Sequence, residues 1–70
     1  MIVIAFESTH AAMAAQKLLA GLRFDVIPTP VDITATCGIA LRLADELIEE
    51  AHARLQRDEL ICSQATWHYV

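Results

Sequence analysis

Ile2-Val3-Ile4-Ala5-Phe6 is a continuous run of β-branched, small and aromatic side chains, too short for a helix and apolar at both alternating sets of positions. It reads as a central strand. The next segment is helical. Ser8 and Thr9 are both good N-caps, and Ala11, Ala15, Leu18 and Leu22 then recur at helical spacing until Gly21-Leu22 supplies a glycine stop. The expected helix spans about residues 9 to 20, and its five alanines, Ala11, Ala12, Ala14, Ala15 and Ala20, leave little bulk between its axis and a sheet.

Further along, Phe24-Asp25-Val26-Ile27 alternates weakly and runs into Pro28-Thr29-Pro30, whose two missing N–H groups confine this segment to a sheet edge or a loop. Residues 30 to 36 are turn-like, and Gly38-Ile39-Ala40-Leu41-Arg42-Leu43 is a third strand. Ala44, Leu47, Ile48, Ala51 and Leu55 then form an apolar stripe at 3.6 spacing, acidic at its start (Asp45, Glu46, Glu49, Glu50) and basic at its end (Arg54, Arg57), as a helix dipole favours. The tail from Leu60 to Val70 contains apolar residues throughout and is most strand-like at Thr66-Trp67-His68-Tyr69-Val70. The order β-α-β-β-α-β predicts an α+β, ferredoxin-like sandwich in one domain over residues 1–70. With right-handed crossovers it has an antiparallel sheet in the order 4-1-3-2 and two helices on one face. The other face is left bare, so the apolar residues that strand one turns toward it favour a homo-oligomer through that helix-free face.

Length and composition narrow the function classes. Seventy residues leave room for one small domain, and ordering them costs on the order of 100 kcal/mol at roughly 1.5 kcal/mol each. Apolar residues make up 56% of the chain and charged residues 20%, which excludes disorder and leaves more apolar surface than so small a body easily hides. Five Lys and Arg against nine Asp and Glu give a net charge of -4, so no basic face is available for nucleic acid. Uncharged stretches such as Ser8 to Gln16 and Ile33 to Leu41 fall well short of the roughly 18–20 residues of a membrane span. The start has neither a basic leader nor a small-residue cleavage site. The expectation is a cytoplasmic protein with no nucleic-acid or membrane partner and no cofactor. Cys37 and Cys62 are too few and too far apart for a disulfide scaffold or a closed zinc module, and each is expected to be a reduced thiol.

The topology itself selects a candidate site. Strand one ends, helix one begins, strand two ends and strand three begins at the same sheet edge, which puts Cys37 near Ser8-Thr9-His10. A helix N-terminus carries partial positive charge and favours a thiolate; a protonated His10 would do the same. Gly38 removes a side chain from beside the sulfur and lets a reagent approach the backbone. Cys37 is thus the candidate reactive thiol and His10 the candidate thiolate stabiliser, with Ser8, Thr9 and Gly38 as binding residues around them. Most free cysteines are small core hydrophobes, and that reading stays open for Cys37 and is favoured for Cys62. His52 and His68 read as structural or solvated, and no metal site is expected.

Phe6-Glu7-Ser8-Thr9-His10, Ile27-Pro28-Thr29-Pro30 and Ile33-Thr34-Ala35-Thr36-Cys37-Gly38-Ile39-Ala40-Leu41 together resemble the small bacterial family of selenium/sulfur carrier-like proteins. The resemblance spans nearly the whole chain, and Pro30 to Gly38 is its most specific part. Where members of the family usually have a basic-acidic pair after the second proline, this chain has Val31-Asp32. The resemblance implies that Cys37 carries sulfur or selenium as a persulfide or perselenide, received from a donor protein and passed to an acceptor. A carrier of this kind needs an exposed sulfur and no deep pocket. Two other classes remain: a dimeric regulatory or protein-interaction module with a structural Cys37, and a metal module using Cys37, His10 and Cys62, disfavoured because no CxxC loop is present.

Overall fold

The computed structural model of the chain describes residues 1–30 and 38–69. Four strands, β1 (Ile2–Phe6), β2 (Asp25–Pro28), β3 (Ile39–Leu43) and β4 (Ala65–Tyr69), form one antiparallel sheet in the order β2-β3-β1-β4. This is the expected order read from the opposite edge, and it is consistent with a ferredoxin-like fold. β1 lies between β3 and β4, pairing Ile4 with Leu41 on one side and with Trp67 on the other. All five of its residues are buried.

Alternation along β1 divides the core. Ile2, Ile4 and Phe6 join Leu41 and Leu43 in a cluster with Ala11, Ala12, Ala15 and Leu19, and with Ala51, Leu55 and Ile61. All the helices therefore cover one face. Burying each large side chain there contributes about 1.5–3 kcal/mol, which makes this cluster the main favourable term in so small a fold. Val3 and Ala5 point the other way and join Ala40, with Ile27 packed beside them. By register, Asp25, Arg42, Thr66 and His68 share that helix-free face. Val3, Ala5 and Ala40 are each no more than 2% exposed in the single chain, so they present no apolar patch for a second sheet to cover.

Helix α1 (Thr9–Leu18) begins at Ser8, whose extended backbone and side-chain cap stop the strand and start the helix. Its three buried residues are all alanines, as close approach to the sheet requires. The expected end at residue 20 falls two residues earlier; Gly21 then takes a positive φ of 93°, which reverses the chain without a Cβ clash. The exposed carbonyls at that end are received by Arg54, which donates to Ala20 O and, at 3.5 Å, to Leu18 O. Arg54 also lies 3.5 Å from Glu50, one turn back on its own helix.

Two expectations are corrected. The second helix is divided: a 3-10 turn over Asp45–Leu47 precedes α2 (Ile48–Leu55), because Ala44 at the boundary has no side chain with which to cap a helix. A third helix, α3 (Glu59–Gln64), occupies part of the tail that the sequence leaves as an apolar run. The Asp58 carboxylate caps it, accepting from Leu60 N–H and Ile61 N–H, and Ile61 anchors it in the core. The last strand begins at Ala65, one residue before its expected start.

Candidate functional site

At the end of β1 the chain turns through Glu7 and Ser8 into α1. The Ser8 hydroxyl accepts from Ala11 N–H at 3.1 Å and donates to Gln64 Oε1 at 2.8 Å. Glu7 N–H donates to Gln64 O at 3.2 Å. The last residue of α3 thus holds the β1–α1 turn by both its backbone and its side chain. Ser8, a candidate binding residue, has its hydroxyl committed to this local structure. Thr9 and His10 follow in the first turn of α1 and are exposed, leaving the partial positive charge of the helix N-terminus at this end of the sheet.

Gly38 comes to the same end from β3. The β1–β3 register pairs Ala5 with Ala40, which brings the start of β3 to the end of β1, where the chain turns into α1. Gly38 O accepts from Thr29 N–H at 3.0 Å, which joins the end of β2 to the start of β3. The glycine is exposed, and a Cβ added to it would meet no described atom within 4 Å. Ser8, Thr9, His10 and Gly38 therefore share one edge, as the topology predicts. Cys37, the candidate thiol, lies outside the described residues, and so does the stretch Val31 to Thr36.

The other titratable candidates are elsewhere. His52 on α2 stacks on Trp67 of β4, with ring centroids 3.9 Å apart and planes 7° from parallel, which gives it a structural place on the helix side of the sheet. His68, the next residue of β4, faces the opposite way; its Nε2 is buried without a hydrogen-bond partner among the described residues. Cys62 is half-buried on α3 and lines a shallow depression with Gln56, Glu59 and Ser63. Among the described residues no group of three His, Cys, Asp or Glu side chains could hold a metal ion. A cleft of about 700 Å³ lies at the far end of the sheet, lined by Leu22, Arg23, Phe24, Asp25, Arg42 and Glu46 among others, away from the Ser8–Gly38 edge. No helix among the described residues is long and apolar enough to cross a membrane.

Sequence reasoning missed Gln64. Its only signal is the Asp58 cap, which could have placed α3 and hence its last residue beside the turn.

Fold and edge together define a small mixed α/β domain, four antiparallel strands under three helices, that gathers a helix N-terminus and a strand start at one sheet end. Within that class, the chain belongs to the family described as "Putative Se/S carrier protein-like", whose model matches residues 1–64. No curated protein and no solved structure matches it.

Proposed function

We propose that this chain is a sulfur or selenium carrier in which Cys37 holds the transferred atom. The observation that carries this reading is the family match, which runs through Cys37 and includes Ser8, Thr9, His10 and Gly38. The fold supports it as well. In the ferredoxin-like reading of the sheet, with α3 as an addition between α2 and β4, the strand that begins just after Cys37 starts beside the α1 N-terminus. A positive helix end favours a thiolate, and the thiolate is the attacking species in sulfur exchange.

The transfer needs no cofactor. The Cys37 thiolate attacks the terminal sulfur of a donor protein's persulfide, forming a Cys37 S–S bond as the donor's own S–S bond breaks, and the donor leaves as its cysteine thiolate. No net oxidation occurs. The reverse attack, by an acceptor's nucleophile on the terminal atom, releases the cargo and restores Cys37; selenium follows the same path as a perselenide.

Intact-mass spectrometry after incubation with a cysteine desulfurase and cysteine tests the proposal. The native chain should gain one sulfur atom and Cys37→Ser should not. A Cys37→Ser chain that gains sulfur equally, or a native chain that gains none, favours instead a protein-interaction module with a structural cysteine.

A further inference from the structure

A sheet in the order β2-β3-β1-β4 has two edges, and this chain treats them differently. The β2 edge is short and guarded: Pro28 has no N–H to offer, and Asp25 places a carboxylate there in an ion pair with Arg42 at 2.9 Å. The β4 edge, Ala65-Thr66-Trp67-His68-Tyr69, has no proline and no Asp, Glu, Lys or Arg. Among the described residues no strand lies outside it.

The phase of its backbone is fixed by one hydrogen bond. Glu7 N–H donates to Gln64 O, and the β1–β4 register pairs Ala5 with Thr66 and Val3 with His68. In an antiparallel ladder hydrogen-bonded pairs alternate with non-bonded ones, so Thr66 and His68 turn their backbone groups toward β1. Ala65, Trp67 and Tyr69 turn theirs outward. The Ala65 N–H is already taken by Cys62 O at the end of α3, which leaves Ala65 C=O and both backbone groups of Trp67 and Tyr69 facing away from the sheet. Tyr69 is also 73% exposed, one of the few large apolar side chains on the surface.

We propose that β4 is a self-pairing edge, and that two copies of this chain join their sheets through antiparallel β4–β4 pairing about a two-fold axis at Trp67. The two Trp67 residues exchange N–H and C=O. Each Tyr69 N–H donates to Ala65 C=O of the second copy, and these four bonds use the outward donors while leaving the engaged Ala65 N–H undisturbed. Side chains agree with this register, since the exposed Tyr69 ring lies across from the small Ala65 on the same face. A second copy is the occupant because β4 is complementary to itself in this register: its fifth residue, Tyr69, offers a donor where its first, Ala65, offers only an acceptor. Five-residue edges bury less than the roughly 1,200–2,000 Å² of a stable interface, so the dimer is weak and reversible. It uses neither Cys37 nor the Ser8–Gly38 edge.

Sedimentation velocity of the full chain with reductant present, from about ten micromolar to about one millimolar, is the test, joined to amide hydrogen exchange across the same range. The weight-average mass should rise toward that of a dimer, and the Trp67 and Tyr69 amides should gain protection with concentration while those of Thr66 and His68 stay protected throughout. Tyr69→Pro removes an outward N–H that β1 does not use; it should weaken association at least tenfold with an unchanged far-ultraviolet circular dichroism spectrum. Val26→Lys on the opposite edge should leave association unchanged. A strictly monomeric chain at the top concentration overturns the proposal. So does a dimer that Tyr69→Pro leaves intact, or one whose Trp67 and Tyr69 amides exchange freely.

Discussion

The Ser8 hydroxyl donates to Gln64 Oε1 across 56 residues of sequence, while the same oxygen caps α1 at Ala11 N–H. One side chain therefore starts the first helix and ties it to the end of the last. The connection matters because the first turn of α1 carries Thr9 and His10, so the placement of the candidate site depends on α3.

Ser8→Ala removes both bonds and should destabilise the fold by about 1–2 kcal/mol, the upper range of an N-cap loss. Gln64→Ala keeps the cap and should cost less. In a double-mutant cycle by urea denaturation the coupling between the two should reach about 0.5–1.5 kcal/mol, the net worth of one partly buried hydrogen bond. Additive effects would mean that the contact contributes nothing to stability.

The helix-free face makes a different demand. Val3 is 2% exposed although no described helix covers it, and its side chain packs with Ala5 and Ala40, two residues too small to fill a void left beside them. Val3→Ala should lower stability by about 1–3 kcal/mol, read by urea denaturation. Val3→Thr, nearly the same shape, should remain folded with a loss of about 1–3 kcal/mol for the buried hydroxyl.

Much of this architecture is legible in the amino-acid sequence, and the exceptions have physical causes. Ile2 to Phe6 is apolar in both alternating sets because the two core clusters lie on its two sides. Pro28 marks β2 as an edge because it has no N–H to offer a further strand. The third helix is hidden because six residues make fewer than two turns, too few for a 3.6 period to emerge, and Leu60, Ile61 and Cys62 suit a strand as well. Gln64 is hidden for another reason: its role depends on a residue 56 positions away, which no local pattern encodes. His10, Thr9 and Gly38 are legible as neighbours because strand directions alone bring them to one edge, whereas the commitment of the Ser8 hydroxyl to Gln64 emerges only from the packing of α3 against the β1–α1 turn.

Trp67 is the only tryptophan in the chain, so its contact with His52 has a direct optical readout. His52→Ala should shift and change the intensity of its emission and destabilise the fold by about 0.5–1.5 kcal/mol, the worth of a stacked ring pair. His52→Phe restores an aromatic face and should recover most of that loss. Unchanged emission in His52→Ala would mean that the rings do not rest on one another in solution.

The two cysteines should differ in reactivity. Under the carrier proposal Cys37 is the attacking sulfur, and Gly38, the residue after it, comes to the same sheet end as the α1 N-terminus and His10, whereas Cys62 is half-buried on α3 beside Gln56, Glu59 and Ser63. Iodoacetamide should therefore modify Cys37 faster than Cys62, as read by mass spectrometry of the two cysteine peptides. The α1 N-terminus should supply about 0.3–1 kcal/mol of thiolate stabilisation, and a charged His10 could add a comparable amount. His10→Ala separates the two sources. If His10 contributes, the variant should slow Cys37 alkylation by roughly two- to fivefold, since about 1.4 kcal/mol corresponds to a factor of ten, and should leave Cys62 unchanged. If the helix acts alone, both rates stay at their native values. Equal alkylation rates for Cys37 and Cys62 in the native chain would remove the physical argument for transfer through Cys37 and leave a structural thiol in its place.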